Sequence, residues 1–175
     1  MRRLTAQTLL ILLWAASVVP AFAAETMAEV RIKAGFIANF VQFTTWPAPA
    51  QRVTVCGLGP AHPGDTLEHL AKIANGGIAI TIRRGRSIDG LAGCDVLFLE
   101  DEQAQALPGA LAAAAASRLH LLVITDFEAG APLGATISLV ATGGGRIGFD
   151  ANVNAARSAG LILSSRLLQL ARRVY

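Results

Sequence analysis

The sequence predicts an α/β fold: a mixed, largely parallel sheet flanked by helices, with a C-terminal antiparallel hairpin and one long final helix. Three observations carry this prediction. Between residues 28 and 124, short apolar runs of strand length alternate with helix-length patterns, and parallel neighbours are the strands that need such crossovers. Residues 135–140 and 146–149 then form two strand runs joined through Thr142-Gly143-Gly144-Gly145 with no helix between them, the pattern of a hairpin. From 152 to 174 the apolar spacing becomes helical and stays so.

Residues 28–43, AEVRIKAGFIANFVQF, place Ile32, Phe36, Phe40 and Phe43 on one helical stripe, with Ala34, Ile37 and Val41 beside it. That predicts a helix with an unusually wide apolar face. It stops at Thr44-Thr45-Trp46-Pro47, because a proline pushes its predecessor out of helical geometry. Residues 52–56 alternate as a strand and break at Gly57-Leu58-Gly59-Pro60. Thr66–Ile73 reads as a short helix closed by Asn75-Gly76-Gly77. The second strand covers 78–82 and the third 95–99; the acids Glu100, Asp101 and Glu102 then suit the N-terminus of a helix over 103–116. The fourth strand covers 119–124. In the final helix, Ala156, Gly160, Leu163, Leu167, Leu170 and Val174 recur at steps of four and three, and Arg157, Ser165, Gln169 and Arg172 face outward. With no internal repeat and no linker, one domain over 24–175 is expected.

The chain opens with Met1-Arg2-Arg3, an apolar run over 9–19 and then Pro20-Ala21-Phe22-Ala23-Ala24. This is the order of a cleavable signal peptide, and the run falls short of the about 20 residues a spanning helix needs. We expect a signal peptide over 1–23, cleavage after Ala23, and an exported protein over 24–175. The formal charge of +3 drops further once Arg2 and Arg3 are removed, so no nucleic-acid partner is expected. Cys56 and Cys94 are the two cysteines. An oxidising compartment permits their pairing, which would stabilise by about 4 kcal/mol in the chain-entropy picture; two buried thiols are the alternative. Neither has a His or further Cys at zinc-ligand spacing, so no metal is expected.

Catalytic motifs are missing. The histidines His62, His69 and His120 lack HExxH spacing, and no serine sits in GxSxG. Gly57-Leu58-Gly59-Pro60-Ala61-His62, followed by Arg83-Arg84 on the next strand, resembles the start of a dinucleotide-binding turn. His62 stands where the third glycine belongs, however, and prolines at 60 and 63 interrupt the loop, so no cofactor is expected. Asp126, and Glu100 with Asp101, fall at carboxyl ends of strands, where open α/β sheets bind ligands; capping serves equally well for acids in these places. The first helix carries more large apolar residues than one buried stripe needs. Phe36, Phe40, Phe43 and Trp46 are therefore candidates for either a dimer surface or the core.

Residues 33–47, KAGFIANFVQFTTWP, resemble the opening signature KAxFxxNFxxFxxWP of the YfiR-like family. Later blocks follow in the family's order: CGLG at 56–59, CDVLFL at 94–99, GGRIGFDAN at 144–152 followed by Ala155-Ala156, and SSRLLQLA at 164–171. The resemblance implies a periplasmic repressor that binds the periplasmic sensor part of an inner-membrane diguanylate cyclase, lowering cyclic di-GMP and disfavouring biofilm formation. It implies a homodimer, which would occupy the surplus apolar surface. No catalysis is implied: such a protein acts by binding one conformation of its partner better than another. Cys56 and Cys94 match positions where such proteins carry a disulfide, whereas a second cysteine pair found in some relatives is absent here. For partner contact the expectation falls on Phe127, Leu133, Ile137, Ile147 and Phe149, in and near the hairpin, with inward-facing core positions as the alternative. The runner-up is a periplasmic small-ligand-binding module feeding another sensor, supported by the glycine loop and the strand-end acids. A secreted oxidoreductase rests on the glycine loop alone.

Overall fold

The computed structural model describes residues 27–59, 65–73 and 77–175; the expected signal peptide and the loop around His62 lie outside the described residues. Helix α1 (Met27–Gln42) leads through the two-residue strand β1 (Thr44–Thr45) into β2 (Arg52–Leu58), α2 (Thr66–Ile73) and β3 (Ala79–Gly85). After a single 3-10 turn come β4 (Val96–Leu99), a 3-10 segment (Asp101–Ala106) continuing into α3 (Leu107–Ala116), and β5 (Leu122–Thr125). The hairpin β6 (Ile137–Ala141) and β7 (Ile147–Ala151) precedes α4 (Val153–Ser158), β8 (Ile162–Leu163), α5 (Ser165–Leu170) and β9 (Arg173–Val174).

Seven strands form one sheet in the order β3-β2-β4-β5-β6-β7-β9. The first five positions run parallel, and β7 turns back antiparallel on β6. The mixed, largely parallel α/β fold and the hairpin are therefore as the sequence predicts. Central strands are apolar on both sides because both faces are covered. Val53, Val55, Val96, Phe98, Leu122 and Ile124 pack in a cluster with Ile37 and Phe40 of α1 and Leu67 and Leu70 of α2. The alternate residues Cys56, Leu97, Leu99 and Val123 pack in a second cluster with Leu107 and Ala110 of α3.

The long final helix is not formed. Gly160 adopts φ +72°, a left-handed conformation that ends a helix and that other residues adopt only with strain. The amide of Leu161 closes the end by donating to Ala156 O at 2.8 Å. Ile162 and Leu163 then pair antiparallel with Thr45 and Thr44, and the Ser164 side chain caps α5 by accepting from Leu167 N. Spacing of four and three persists across the break, so the apolar pattern alone could not reveal it. Leu163 and Leu167 are buried, while Leu170 and Val174 are exposed. The fourth strand begins later than expected, at Leu122, and the first extends through Gly57 and Leu58.

Candidate functional site

Helix α1 packs Val30, Ala34, Ile37, Phe40 and Val41 inward, leaving Ile32, Phe36 and Phe43 on a second stripe. Its C-terminal carbonyls are satisfied by the residues that follow. Thr44 Oγ1 donates to Phe40 O at 2.7 Å, and Trp46 Nε1 donates to Val41 O at 3.2 Å. These bonds hold the chain reversal into β1, and β1 in turn holds β8, which sets the start of α5 against the end of α1.

The result is a cleft of about 130 Å³ lined by Phe36, Asn39, Phe40 and Phe43 of this segment, Phe149 of β7, and Arg166, Leu167 and Leu170 of α5. Its floor is aromatic: Phe36 stacks on Phe40 with centroids 5.7 Å apart, and Phe149 meets Phe40 edge-on at 5.0 Å. Its rim is exposed, with Phe43 at 38% and Leu170 at 74%. Asn39 and Arg166 are the polar groups of the lining. Arg166 is the one charged residue among the described residues lining the cleft.

The residues expected at a docking patch do not come together. Ile137 (0% exposed) and Phe149 (2%) belong to the core. The reason is position: β6 lies between β5 and β7, and the Phe149 ring fills the space between sheet and α1. Ile147 is half-buried against the same cluster, Phe127 packs on the opposite face of the sheet, and Leu133 is exposed. Of the residues left open between dimer surface and core, Phe40 is core, Phe36 and Trp46 are half-buried, and Phe43 is exposed. Arg166 and Leu170 are cleft residues that the sequence does not point to, because an unbroken final helix does not bring that turn to α1.

At the carboxyl ends of the strands the acids are engaged. Asp126 accepts from Lys33 Nζ at 2.6 Å. Glu100 N donates to Gln103 Oε1 at 2.9 Å, and Gln103 Nε2 reaches Glu100 Oε2 at 3.4 Å. Burial pushes the Glu100 carboxyl above its ordinary range, the Gln103 hydrogen bond opposes that, the Asp65 carboxylate adds to it, and Arg84 pulls it back. Asp101 stands in the first turn of the 3-10 segment. Gly57 is paired within β2 rather than in a phosphate-binding turn, and Arg84 forms an ion pair with Asp65. His69 Nε2 accepts from Arg31 Nε at 3.4 Å, and His120 Nδ1 contacts Ala159 O at 2.7 Å. Among the described residues no group of three or more His, Cys, Asp or Glu is placed to hold a metal.

Cys56 and Cys94 form a disulfide between the end of β2 and the approach to β4, with Cα atoms 5.9 Å apart. A second buried feature went unpredicted. Asp150 on β7 has neither carboxylate oxygen hydrogen-bonded among the described residues. Arg172 Nε lies 3.6 Å from Oδ1 and Arg173 Nη1 4.0 Å from Oδ2, while both guanidiniums also reach the exposed Glu128. The only sequence signal was an acid inside an otherwise apolar strand.

No curated protein matches the chain. Solved structures do share its fold. One is a conserved domain protein from Vibrio cholerae O1 biovar El Tor, at 16% identity and TM-score 0.56, covering 83% of this chain and 60% of that one. Another is the ABC domain in complex with L-Trp from Streptococcus pneumoniae, at 12% identity and TM-score 0.57, covering 84% of this chain and 60% of that one. The chain thus spans 60% of the length of each. The YfiR/HmsC-like family model matches residues 30–172, and with the opening signature now accounted for by core, caps and cleft, the chain belongs to the YfiR/HmsC-like family.

Proposed function

We propose that this protein represses an inner-membrane diguanylate cyclase by docking on its periplasmic sensor part, with the cleft between α1 and α5 as the contact surface. The observation that carries the reading is the exposed apolar rim, Phe43 and Leu170, around an aromatic floor. Protein interfaces bury such anchors, and an arginine beside them fits an acidic group on the partner. Repression follows when the sensor conformation that fits the cleft is the inactive one, since a ligand shifts an equilibrium only by its difference in affinity for the two states. Residues 1–23 direct export, and residues 24–175 act as a homodimer, which sedimentation of the purified protein tests.

The experiment is capture of partners from solubilised membranes by tagged protein covering residues 24–175, alongside Phe43→Asp and Leu170→Asp variants. Recovery of a cyclase with a periplasmic sensor, lost in both variants while cellular cyclic di-GMP rises, is the expected result. A cyclase captured equally well by the variants refutes the cleft, and no cyclase at all refutes the repressor reading.

A second reading, a small-ligand-binding module, draws on the same cleft. Its aromatic floor, the Asn39 amide and the Arg166 guanidinium suit a flat apolar molecule bearing a carboxylate. Calorimetry with aromatic amino acids in the absence of any membrane protein tests it.

A further inference from the structure

Strand β9 closes one side of the seven-stranded sheet through few contacts. It pairs with β7 over two residues, Asp150 with Arg173 and Ala151 with Val174. The backbone bonds flanking that ladder run from Arg172 N to Phe149 O, from Tyr175 N to Ala151 O and from Val153 N to Tyr175 O, each at 2.8 Å. Arg173, Val174 and Tyr175 are exposed, so apolar burial adds little to these bonds. Under this short strand lies a socket for an arginine. Phe149 and Ala151 pack into the α1 cluster, and alternation turns Gly148 and Asp150 to the other face. The Arg172 stem crosses Gly148, where a Cβ would stand 2.7 Å from Arg172 Cδ. Asp150 is fully buried, yet among the described residues neither of its oxygens accepts a hydrogen bond. Arg172 Nε and Arg173 Nη1 stop 3.6 and 4.0 Å away, and both guanidiniums are shared with the exposed Glu128.

We infer that the edge of β7 is an acceptor site for an extended, arginine-bearing segment of a partner protein, and that residues 172–175 occupy it until such a segment displaces them. An incoming strand reproduces the backbone bonds of β9, so exchange loses no hydrogen bonds along the edge. Selectivity comes from Asp150. A strand without a cation leaves the buried carboxylate uncompensated, which costs more than a backbone bond returns. A strand with an arginine over Gly148 supplies the charge. Where its guanidinium closes to hydrogen-bonding distance of both carboxylate oxygens, it binds better than the chain's own segment, which stops short of that distance. Gly148 keeps the path open, because any larger residue there fills the space of the arginine stem. This edge is separate from the cleft between α1 and α5, which Phe149 lines from the opposite face of β7.

The probe is a fluorescein-labelled hexapeptide with the sequence of residues 170–175, LARRVY, titrated into the full chain and followed by fluorescence anisotropy. Tyr175→Pro removes the amide that donates to Ala151 O and keeps both arginines. The edge is then open more often, and the peptide binds this variant about tenfold tighter than it binds the wild type. The same peptide with methionine at both arginine positions binds the variant about tenfold more weakly, and adding Asp150→Asn abolishes the difference between the two peptides. On the wild-type chain, the arginine peptide carrying photoleucine at the Val174 position labels residues 147–151 of β7, a readout that requires no variant to fold. Absence of saturable binding to either chain overturns the proposal. So does equal affinity for the two peptides, or a preference for arginine that survives Asp150→Asn. Labelling away from β7 overturns it too, by placing the peptide on another surface.

Discussion

Replacing Arg172 by methionine isolates the electrostatic support of Asp150. The carboxylate is fully buried, with neither oxygen hydrogen-bonded among the described residues, so its charge is compensated across space, chiefly by Arg172 Nε at 3.6 Å and more weakly by Arg173 at 4.0 Å. With an effective dielectric constant near 20, a charge pair at 3.6 Å is worth about 4–5 kcal/mol before desolvation. Removing one partner of a buried pair costs about 3–5 kcal/mol. Arg173 stays behind and methionine preserves the aliphatic stem that lies over Gly148, so the low end applies, about 3 kcal/mol. For a chain of this size that lowers Tm by about 6–12 °C. Urea and thermal unfolding of the wild type, Arg172→Met, Asp150→Asn and the double variant form a cycle that isolates the pair. If the charge on Asp150 is what requires Arg172, the methionine costs under about 1 kcal/mol in the Asp150→Asn background. Equal costs in both backgrounds refute the reasoning, as does a cost below about 1 kcal/mol in the wild type.

Gly130→Ala destabilises by about 3 kcal/mol or more, because its Cβ would sit 1.9 Å from Thr125 Oγ1 and 2.9 Å from Ser138 Oγ; an unchanged urea midpoint would show that the loop beneath can yield. Glu100→Gln tests the burial of that carboxyl. A folded-state pKa raised above the ordinary 4.5 means that the native state holds the proton more tightly, so this group's contribution is present below that value and is lost as pH rises through the raised one. The variant therefore gains on the wild type between pH 4 and pH 7, and an equal offset in urea midpoint at both pH values contradicts the assignment. Leu170→Asp, at a position 74% exposed, shifts stability by no more than about 0.5 kcal/mol, and Phe43→Asp, at 38% exposure beside the end of α1, costs about 1–3 kcal/mol, while both abolish partner capture; loss of capture accompanied by unfolding would remove their value as evidence for the cleft.

Much of the site was legible one residue at a time and little of it as a surface. The stripe of Phe36, Phe40 and Phe43 is visible in the helical spacing, and so is the surplus of apolar side chains over what one buried face requires. Which of them the core would take depends on Phe149, whose ring meets both Phe36 and Phe40. The hairpin register sets Phe149 opposite Leu139 on the α1 side, and alternation within a strand says only that neighbouring residues face opposite ways. The patch expected from Phe127, Leu133, Ile137, Ile147 and Phe149 dissolved for that reason: Ile137, Ile147 and Phe149 pack on one face of a sheet covered on both sides, Phe127 packs on the other, and Leu133 stays exposed.

By itself the sequence determined the helices α1 and α2, the run of parallel strands, the turn of the hairpin and the family, because periodicity, caps and motifs are short-range properties that survive without knowledge of neighbours. Tertiary structure alone decided the rest. The final segment breaks into α4, β8 and α5 because Ile162 and Leu163 find Thr45 and Thr44 as strand partners. Asp150 is buried because β9, with Arg173 in it and Arg172 just before it, closes over it, and the cleft exists because that same break lays α5 beside α1. Each of these depends on pairing between residues far apart in the chain, and local spacing carries no record of which distant backbone will supply the hydrogen bonds.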